Sequence, residues 1–437
     1  MKNEIPPLAR ELNEILEGSV IMDLLSDFGK RFYFPKGIIS QSAEAKEHAH
    51  RFNATVGMAY SGGQPMFLPS VHRHLANLQP EEIYSYAPTG GVPELRKLWK
   101  EQIIRKNPAI ADKNVSLPLV VPGLTAGISV LADMFVEVGA PVVVADMFWG
   151  NYRLIVAGRR QGTLATFPLF KKGDGAPGLD LDALETTVRE SVHNGRATLI
   201  LNFPNNPTGY SPTQQEAAAL RDRLLAIADE GIKLLVIHDD AYFGLFYEPG
   251  TYTSSLFNEL ADVHPNILAA KVDGGTKEDL TWGFRVGFIT FSAGGATTEQ
   301  YEALVKKGMG AIRAAVSNCS RPGQSLMIHA IKSETYQQEK QLAFDELKKR
   351  YLAVKEILAS AELPANVRVL PFNSGYFMAF ELLEGGAEAL RLKLLHEKGI
   401  GTISIEDRYL RVAFAAIDLD KIPELYREIL ASMKKTG

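Results

Sequence analysis

Lys277 and Arg285 stand eight residues apart in the segment GGTKEDLTWGFRVG (Gly274–Gly287), and both side chains are suited to chemistry. The apolar runs NILAAKV and RVGFITF flank this segment, which predicts a loop between two buried strands. A lysine amine held over a cavity can form a Schiff base with an aldehyde, and a nearby guanidinium can bind a phosphate. The alternative is that both are ordinary surface charges on a connecting loop.

Two other segments that follow apolar runs could bind an anion and a flat ring. PGLTAG (Pro122–Gly127) places Gly123, Leu124 and Thr125 at the expected start of a helix. Free N–H groups there, with the Thr125 hydroxyl, can bind an anion, although Gly-Thr turns begin many helices. Trp149 follows APVVVAD and could stack on an aromatic ligand, with an ordinary core position as the alternative.

Carboxylate, amide and phenol groups follow the next two apolar runs. PNNPTGYSPT holds Asn206 in a turn made rigid by proline and glycine. DDAYFG ends a buried strand with Asp239, whose charge requires a partner such as a protonated pyridine nitrogen. Asp240 should project to the opposite face, and Tyr242 could reach a phenolic oxygen on the same ring. With Lys277, these groups are the parts of a pyridoxal 5'-phosphate (PLP) site.

The elements that must position these residues are strands and helices in alternation. Short apolar runs between residues 117 and 291 alternate with amphipathic segments of helical length: LPLVV, APVVVAD, ATLILNF, IKLLVIHDD, NILAAKV and RVGFITF. This pattern predicts an α/β fold, a three-layer sandwich with a mostly parallel sheet covered by helices on both faces. Ligands of such sheets bind at the carboxyl ends of the strands. Because only a short loop precedes RVGFITF, this strand should break the regular alternation.

From about Asn53 to its C-terminus the chain resembles the class I/II PLP-dependent aminotransferases of fold type I. The motifs that carry the resemblance are NNPTG at 205–209, DDAY at 239–242, and Lys277 with Arg285; YAPTGGVPELR at 86–96 and LRVAFA at 410–415 match weaker family motifs. The aspartate and aromatic aminotransferase branch is the most similar. NATVGMAY with QPMFLPSV, the Trp149–Asn151 segment, and AIRAAVSN at 311–318 resemble segments of that branch.

The resemblance implies a role in cofactor binding for each of these positions. Lys277 would bond to the cofactor and later carry a proton, Asp239 would pair with the ring nitrogen, and Trp149 would stack on the ring. Tyr242 and Asn206 would bind the ring oxygen. The phosphate would be held by Gly123, Leu124, Thr125, Arg285, Ser317 and the Tyr86 of a second subunit. Gly274 stands where many relatives have a serine that contacts the phosphate.

The resemblance also implies a substrate site. Arg411 would bind the α-carboxylate, and Arg313 would bind the distal carboxylate of an acidic substrate across the interface of a homodimer. Gly57, Asn206 and Trp149 would complete the site. The branch usually continues its arginine segment with Asn-Pro-Pro, whereas this chain reads Asn-Cys-Ser from position 318. The alternative for Arg313 is a surface arginine paired with a carboxylate.

The function implied is transfer of an amino group from an amino acid, such as aspartate, glutamate or an aromatic one, to a 2-oxo acid by a ping-pong mechanism. One alternative is another PLP reaction on the same fold, β-elimination or decarboxylation. A second alternative, from a different class, is a regulatory protein that binds PLP without turnover. The presence of Lys277 argues against the second alternative.

The composition argues against some classes of binding partner and indicates the cellular compartment. The chain has 437 residues, 46% of them hydrophobic, and a formal net charge of −4, which argues against nucleic acid or an anionic membrane as partner. Cys319 is the single cysteine, which fits a reducing compartment. No signal peptide or membrane-spanning run is visible. We therefore expect a cytoplasmic enzyme without a metal site.

Two domains are predicted. Residues 65–325 would form the large PLP-binding domain. Residues 1–64 and 326–437 would form a smaller α+β domain. One long helix over about Ser325–Ala361 is expected to bridge them, since it exceeds the length of an ordinary globular helix.

Overall fold

The computed structural model describes residues 5–34, 37–172 and 178–434. Its centre is a seven-stranded sheet in the order β4-β10-β9-β8-β7-β5-β6. The strands are β4 (Leu119–Val121), β5 (Pro141–Ala145), β6 (Thr163–Phe167), β7 (Arg196–Asn202), β8 (Lys233–Asp239), β9 (Ile267–Asp273) and β10 (Gly287–Ala293). β10 runs antiparallel to both of its neighbours, and the remaining pairs are parallel. The prediction that RVGFITF breaks the alternation is confirmed.

Helices cover both faces of this sheet. Along β8, Leu234 and Val236 belong to one hydrophobic core, whereas Leu235 and Ile237 belong to another, as the two-residue period of a strand requires. The first core includes residues of α6 (Pro93–Lys106), α8 (Leu181–Glu190) and α9 (Gln214–Asp229). The second includes residues of α7 (Leu124–Phe135) and α12 (Thr298–Ala315). The fold is therefore the three-layer α/β sandwich that the apolar runs predict.

A second, antiparallel sheet lies towards the C-terminus. It has the order β11-β12-β15-β14, with β11 (Val367–Val369), β12 (Met378–Leu382), β14 (Ile403–Ile405) and β15 (Tyr409–Val412). Its core includes residues of α14 (Tyr336–Ala359), α15 (Ala387–Lys398) and α16 (Ile422–Met433). β1 (Phe52–Asn53) pairs in parallel with β13 (Ile400–Gly401), so the N-terminal region contacts this part of the chain. The domain limits at 65 and 325 stay a prediction.

The other α-helices and β-strands of the described residues are α1 (Pro7–Leu16), α2 (Val20–Leu24), α3 (Ile38–His48), β2 (Tyr60–Ser61), β3 (Gln64–Pro65), α4 (Pro69–His72), α5 (Pro80–Tyr84), α10 (Phe257–Leu260), α11 (Gly275–Glu278) and α13 (Arg321–Lys332). Among the described residues, no helix combines the length and apolar character needed to cross a membrane.

The prediction of a single long helix over Ser325–Ala361 is wrong. The chain leaves the helical conformation at Ser333, whose ψ is 133°, and α14 begins three residues later. The hydroxyls of Ser333 and Thr335 lie 3.1 Å apart and hydrogen-bond to each other. Serine and threonine favour helix ends because such local hydrogen bonds compete with the helical ones. α14 alone is the long helix.

One short helix ends early, and one strand differs from the sequence analysis. α4 ends at His72, and tighter turns follow, with hydrogen bonds from His74 to Val71 and from Leu75 to His72. The edge strand β6 is not among the predicted strands, because its TLATF sequence is only weakly apolar and largely accessible.

Candidate active site

One cavity lies at the carboxyl edge of the large sheet, and most of the site residues predicted from the sequence line it. Its lining comprises Leu124, Thr125, Trp149, Asn202, Asn206, Asp239, Ala241, Tyr242, Thr276, Lys277 and Arg285. These residues come from the ends of β7 and β8, the start of α7, the short helix α11, and the loops after β5, β7 and β8 and before β10. β10 runs in the opposite direction, so Arg285, which precedes it, reaches the same edge.

Lys277 is held in the short helix α11, directly after β9. Its Nζ lies 4.9 Å from the centre of the Tyr242 ring, and its carbonyl accepts a hydrogen bond of 2.9 Å from the Tyr376 hydroxyl. Burial lowers the pKa of Lys277 to about 8; Asp239 opposes this shift and Arg285 adds to it. A substantial fraction of this amine is therefore unprotonated, and nucleophilic, at mildly alkaline pH.

Asp239 ends β8 with a buried carboxylate. The phenol of Tyr152 donates a hydrogen bond of 2.5 Å to its Oδ2, whereas Oδ1 is buried without a hydrogen-bond partner among the described residues. Burial raises the pKa of Asp239 to about 6, and the hydrogen bond from Tyr152 opposes that rise. Asp240 projects to the other face, where it binds Lys271 and the Ser255 hydroxyl. The expectation that the two aspartates diverge is confirmed.

The anion-binding side of the cavity is built around Gly123 and Arg285. Gly123 has φ of +82°, and a Cβ placed on it would lie 2.5 Å from Nη2 of Arg285, so a larger residue would displace the guanidinium. Arg285 itself has φ of +53° and donates from Nη1 to the Trp282 carbonyl at 3.0 Å. Leu124 begins α7, whose first N–H groups have no partners within the helix. This side of the cavity is suited to a phosphate.

Arg411 lies buried at the other side of the site, on β15. Its Nη1 donates to Oδ1 of Asn206 at 3.0 Å and its Nη2 to the Thr55 carbonyl at 2.8 Å, while its Nε has no partner in the described part of the chain. Burial lowers the pKa of Arg411 to about 10. A Cβ on Gly57 would lie 3.2 Å from the Tyr242 hydroxyl, so Gly57 also borders the site. This guanidinium could bind a carboxylate next to the lysine.

Tyr86, Arg313 and Ser317 do not line this cavity. Tyr86 is 90% exposed. Arg313 is exposed near the end of α12, and its Nη1 donates to the Ser317 hydroxyl at 2.5 Å rather than to a carboxylate. The roles given to Tyr86 and Arg313 place them in a partner's site, so their assignments stay predictions.

Three residues of the site were missed in the sequence: Tyr152, Asn202 and Thr276. Asn202 ends β7, accepts from the Asn206 N–H at 2.9 Å and donates to the Asp239 carbonyl at 2.9 Å. Thr276 precedes Lys277 and has a buried hydroxyl without a partner among the described residues. Asn202 lies at the end of a predicted strand and Thr276 precedes the lysine, so their positions in the sequence could have identified both as site residues. For Tyr152, the only signal in the sequence was its spacing of three residues from Trp149.

The large sheet of this three-layer sandwich has a lysine of lowered pKa, a buried carboxylate and an anion-binding helix start at one edge. These features define an α/β transferase of fold type I. The family model for aminotransferase class I and II matches residues 58–429. The chain belongs to that family.

Individual relatives are distant. The aspartate aminotransferase of Geobacillus stearothermophilus is 25% identical over 58% of this chain and 60% of that protein. The chain thus spans about three fifths of the length of that relative. A probable aspartate/prephenate aminotransferase of Aquifex aeolicus is 23% identical over 92% of this chain and 96% of its own. The crystal structure of an aminotransferase from Anaerococcus prevotii has the same fold, with a TM-score of 0.82, 21% identity, and coverage of 94% and 99%.

Proposed function

We propose that this protein is a PLP-dependent aminotransferase that transfers the amino group of an amino acid to a 2-oxo acid. One observation carries the proposal. The Lys277 amine, the Asp239 carboxylate and the Arg285 guanidinium line a single cavity, together with the start of α7. A Schiff-base amine, a carboxylate for a ring nitrogen and a phosphate-binding edge are the groups that PLP requires.

The residues present fit this cofactor. The buried Oδ1 of Asp239 has no partner among the described residues, and a protonated pyridine nitrogen would donate to it. Trp149 would cover one face of the ring, and Tyr242 with Asn206 would bind the ring oxygen. Gly123, Leu124, Thr125 and Arg285 would hold the phosphate. The unpartnered Thr276 hydroxyl offers a further donor in place of the serine that is absent at position 274.

When bound, PLP supplies an electron sink conjugated to the substrate Cα. Asp239 favours the protonated ring nitrogen through its charge. Lys277, as a neutral amine, would take the proton from the substrate Cα and return it to the carbon on the other side of the substrate nitrogen. Arg411 binds the substrate carboxylate with two N–H groups, which orients the Cα–H bond towards Lys277. Its hydrogen bonds to Asn206 and to the Thr55 carbonyl use two of the five N–H groups of the guanidinium, so donors remain for that carboxylate.

For the substrate we propose aspartate or glutamate as donor and 2-oxoglutarate as acceptor, with aromatic amino acids as further donors and ping-pong kinetics. The names of the relatives, aspartate and aspartate/prephenate aminotransferases, support this class. Arg313 of a second subunit would bind the distal carboxylate, and its exposed position in one chain agrees with that role. The same holds for the exposed Tyr86 as a phosphate ligand. The proposal therefore includes a homodimer.

The test uses the purified protein with PLP. Aspartate alone should release one equivalent of 2-oxo acid per subunit and then stop, because the cofactor keeps the amino group. Adding 2-oxoglutarate should restart the reaction. Continuous release of ammonia or carbon dioxide without an acceptor would instead indicate elimination or decarboxylation. Borohydride reduction followed by peptide mapping should place the cofactor on Lys277.

A further inference from the structure

A cluster of buried charges lies directly behind the proposed catalytic lysine. Nζ of Lys340, on α14, lies 2.8 Å from Oε1 of Glu278 and 2.7 Å from Oδ1 of Asp279. Nζ of Lys106, on α6, lies 2.8 Å from Oε2 of the same Glu278. The two carboxylates immediately follow Lys277 in the chain. The residues after the lysine are thus bound by cations from two other helices.

The charges in this cluster balance, two carboxylates against two ammonium groups. Burial would raise the pKa of Glu278, but attraction to Lys106 and Lys340 outweighs it and holds this pKa well below its ordinary value. Burial likewise opposes the charge on Lys340, yet Asp279 and Glu278 raise its pKa well above the ordinary lysine value. Glu278 and Lys340 are therefore both charged at neutral pH, and each of the two carboxylates lies within 3 Å of an ammonium group.

The Glu278 carboxylate has little freedom of its own. Gly244 has φ of +91°, and a Cβ placed on it would lie 2.8 Å from Oε1 of Glu278, so the backbone of the DDAYFG segment packs closely against this group. On a helical turn, successive side chains point about 100° apart. Fixing residues 278 and 279 at the same cation therefore fixes the rotation of α11, and with it the direction of the Lys277 side chain.

A cavity lies beside this turn on the side of α14. Lys277 borders this second cavity, of about 250 Å³, lined among others by Lys106, Lys340 and Phe344. On this side of the turn, the ion pairs of Lys340 and the hydrogen bond from Tyr376 to the Lys277 carbonyl restrain α11. Further along α14, Leu347, Tyr351 and Val354 belong to the C-terminal hydrophobic core. Lys340 thus connects that core to the lysine turn.

We propose that Lys340 is a positioning residue for Lys277: by binding Glu278 and Asp279 together, it fixes the rotation of α11 and keeps the Lys277 amine over Tyr242. This inference rests on the proposed role of Lys277. It adds a residue that contacts neither substrate nor cofactor and that acts from another helix.

The test compares three variants with the wild type. Lys340→Met removes the charge, Lys340→Arg keeps it, and Lys349→Met removes an exposed lysine from the same helix as a matched control. Lys340→Met should lower kcat at least about tenfold, because misplacing a reacting group is costly, while KM for the amino donor changes little. Lys340→Arg should recover most of kcat, and the control should match the wild type.

A second readout needs no cofactor. Labelling of Lys277 by trinitrobenzenesulfonate in the full-length protein freed of PLP, followed by peptide mass spectrometry, gives the pH midpoint of this amine. Burial lowers the pKa of Lys277 to about 8, so an amine released from its position should titrate at higher pH. The midpoint should rise in Lys340→Met and return in Lys340→Arg. Loss of stability without displacement of α11 would leave the midpoint unchanged.

Asp279→Asn serves as a second route if Lys340→Met does not fold, because it weakens one of the two contacts and keeps the other. It should lower kcat and raise the labelling midpoint in the same direction. Unchanged kcat and midpoint in the folded variants would overturn the inference. Cofactor found on another lysine of the wild type after borohydride reduction would instead overturn the proposed function, so the two failures are distinguishable.

Discussion

The phenol of Tyr152 donates a hydrogen bond of 2.5 Å to Oδ2 of Asp239, across 87 residues of sequence. This bond stabilises the charged form of a carboxylate whose burial favours the neutral form. Tyr152 also meets Trp149 edge to face, with ring centres 5.6 Å apart. The carboxylate and the indole proposed to bind the cofactor are therefore both contacted by one tyrosine.

Tyr152→Phe should raise the pH at which activity is lost on the acid side. Burial already raises the pKa of Asp239 to about 6, and removing the bond that opposes this shift raises it further. A hydrogen bond to a charged group is worth about 1.5–3 kcal/mol, or roughly one to two pKa units at 1.36 kcal/mol each, so kcat/KM at pH 7 should fall about two- to fifteenfold. The pH profile of kcat/KM measures both effects.

Tyr426→Phe is the matched control for that variant. Tyr426 is a buried tyrosine of the C-terminal core, and its hydroxyl has no partner among the described residues. Its replacement should leave the acid side of the pH profile unchanged. An identical profile for Tyr152→Phe and the wild type would show that the hydrogen bond to Asp239 does not tune the site.

Lys277→Ala should abolish transamination and leave the fold intact, as measured by turnover and circular dichroism. In the wild type, borohydride should fix the cofactor to Lys277. The nearest other lysine in sequence, Lys271, is buried in ion pairs with Asp240 and Asp273, on the other side of the sheet from Asp239. Cofactor found on Lys271 would contradict both the assignment and this geometry.

Lys277→Met should stabilise the cofactor-free protein at pH 7. The pKa of Lys277 is about 8 in the folded protein, below the ordinary lysine value of 10.5. Between these values the unfolded chain binds more protons, so the stability of the wild type rises as pH increases from about 8 to about 10.5. At 1.36 kcal/mol per unit, the penalty at pH 7 is at most about 3 kcal/mol.

Urea unfolding of both proteins between pH 7 and pH 10 measures this penalty. The free energy of unfolding of Lys277→Met should exceed that of the wild type at pH 7, and the difference should shrink as pH rises. A Lys277→Met variant that is less stable than the wild type at every pH would mean that contacts of the buried ammonium group offset the cost of burying its charge.

Asp239→Asn should keep PLP bound but lose two to four decades of kcat, roughly 3–5 kcal/mol, because the ring nitrogen is no longer held protonated. Asp240→Asn is the matched neighbour. Asp240 binds Lys271 and Ser255 away from the cavity, so its replacement should mainly lower stability. Rates and thermal unfolding of the two variants separate these outcomes. The reverse pattern would mean that Asp240 faces the cofactor.

The sequence was informative where chemistry coincides with strand ends. Lys277, Asp239, Asn206 and Arg285 each follow or precede an apolar run, and a parallel sheet brings such ends to one edge. The contact between Tyr152 and Asp239 could not be found in this way, because it depends on the path of the loop and the π-helical turn after β5.

Long-range pairing and weak local signals account for the remaining differences. The ion pairs of Lys340 with Glu278 and Asp279 join residues about sixty positions apart on different elements, and no spacing in the sequence indicates them. Ser333 ends a helix through a hydroxyl contact that an apolar period does not show. Edge strand β6 has few buried residues, so the pattern of burial that identifies a strand is faint there.

The last prediction concerns Arg313 as the residue that binds the second carboxylate of an acidic substrate. In one chain its guanidinium is exposed and donates to the Ser317 hydroxyl, so it keeps donors for a substrate in a partner's site. Leaving the distal carboxylate unpaired in a closed site costs about 2–5 kcal/mol. Arg313→Ala should therefore lower kcat/KM for aspartate and glutamate by roughly two to three decades, at 1.36 kcal/mol per decade.

Aromatic and aliphatic donors lack the distal carboxylate, so Arg313→Ala should change their kcat/KM much less. Lys307→Ala, which removes an exposed cation from the same helix, is the control for a general loss of positive charge. Equal losses for acidic and neutral donors would show that Arg313 serves the structure through its bond to Ser317. A wild-type enzyme that turns over no dicarboxylic substrate would reject the aspartate branch while leaving the proposed amino transfer in place, because Arg411 and Lys277 act on groups that every amino acid carries.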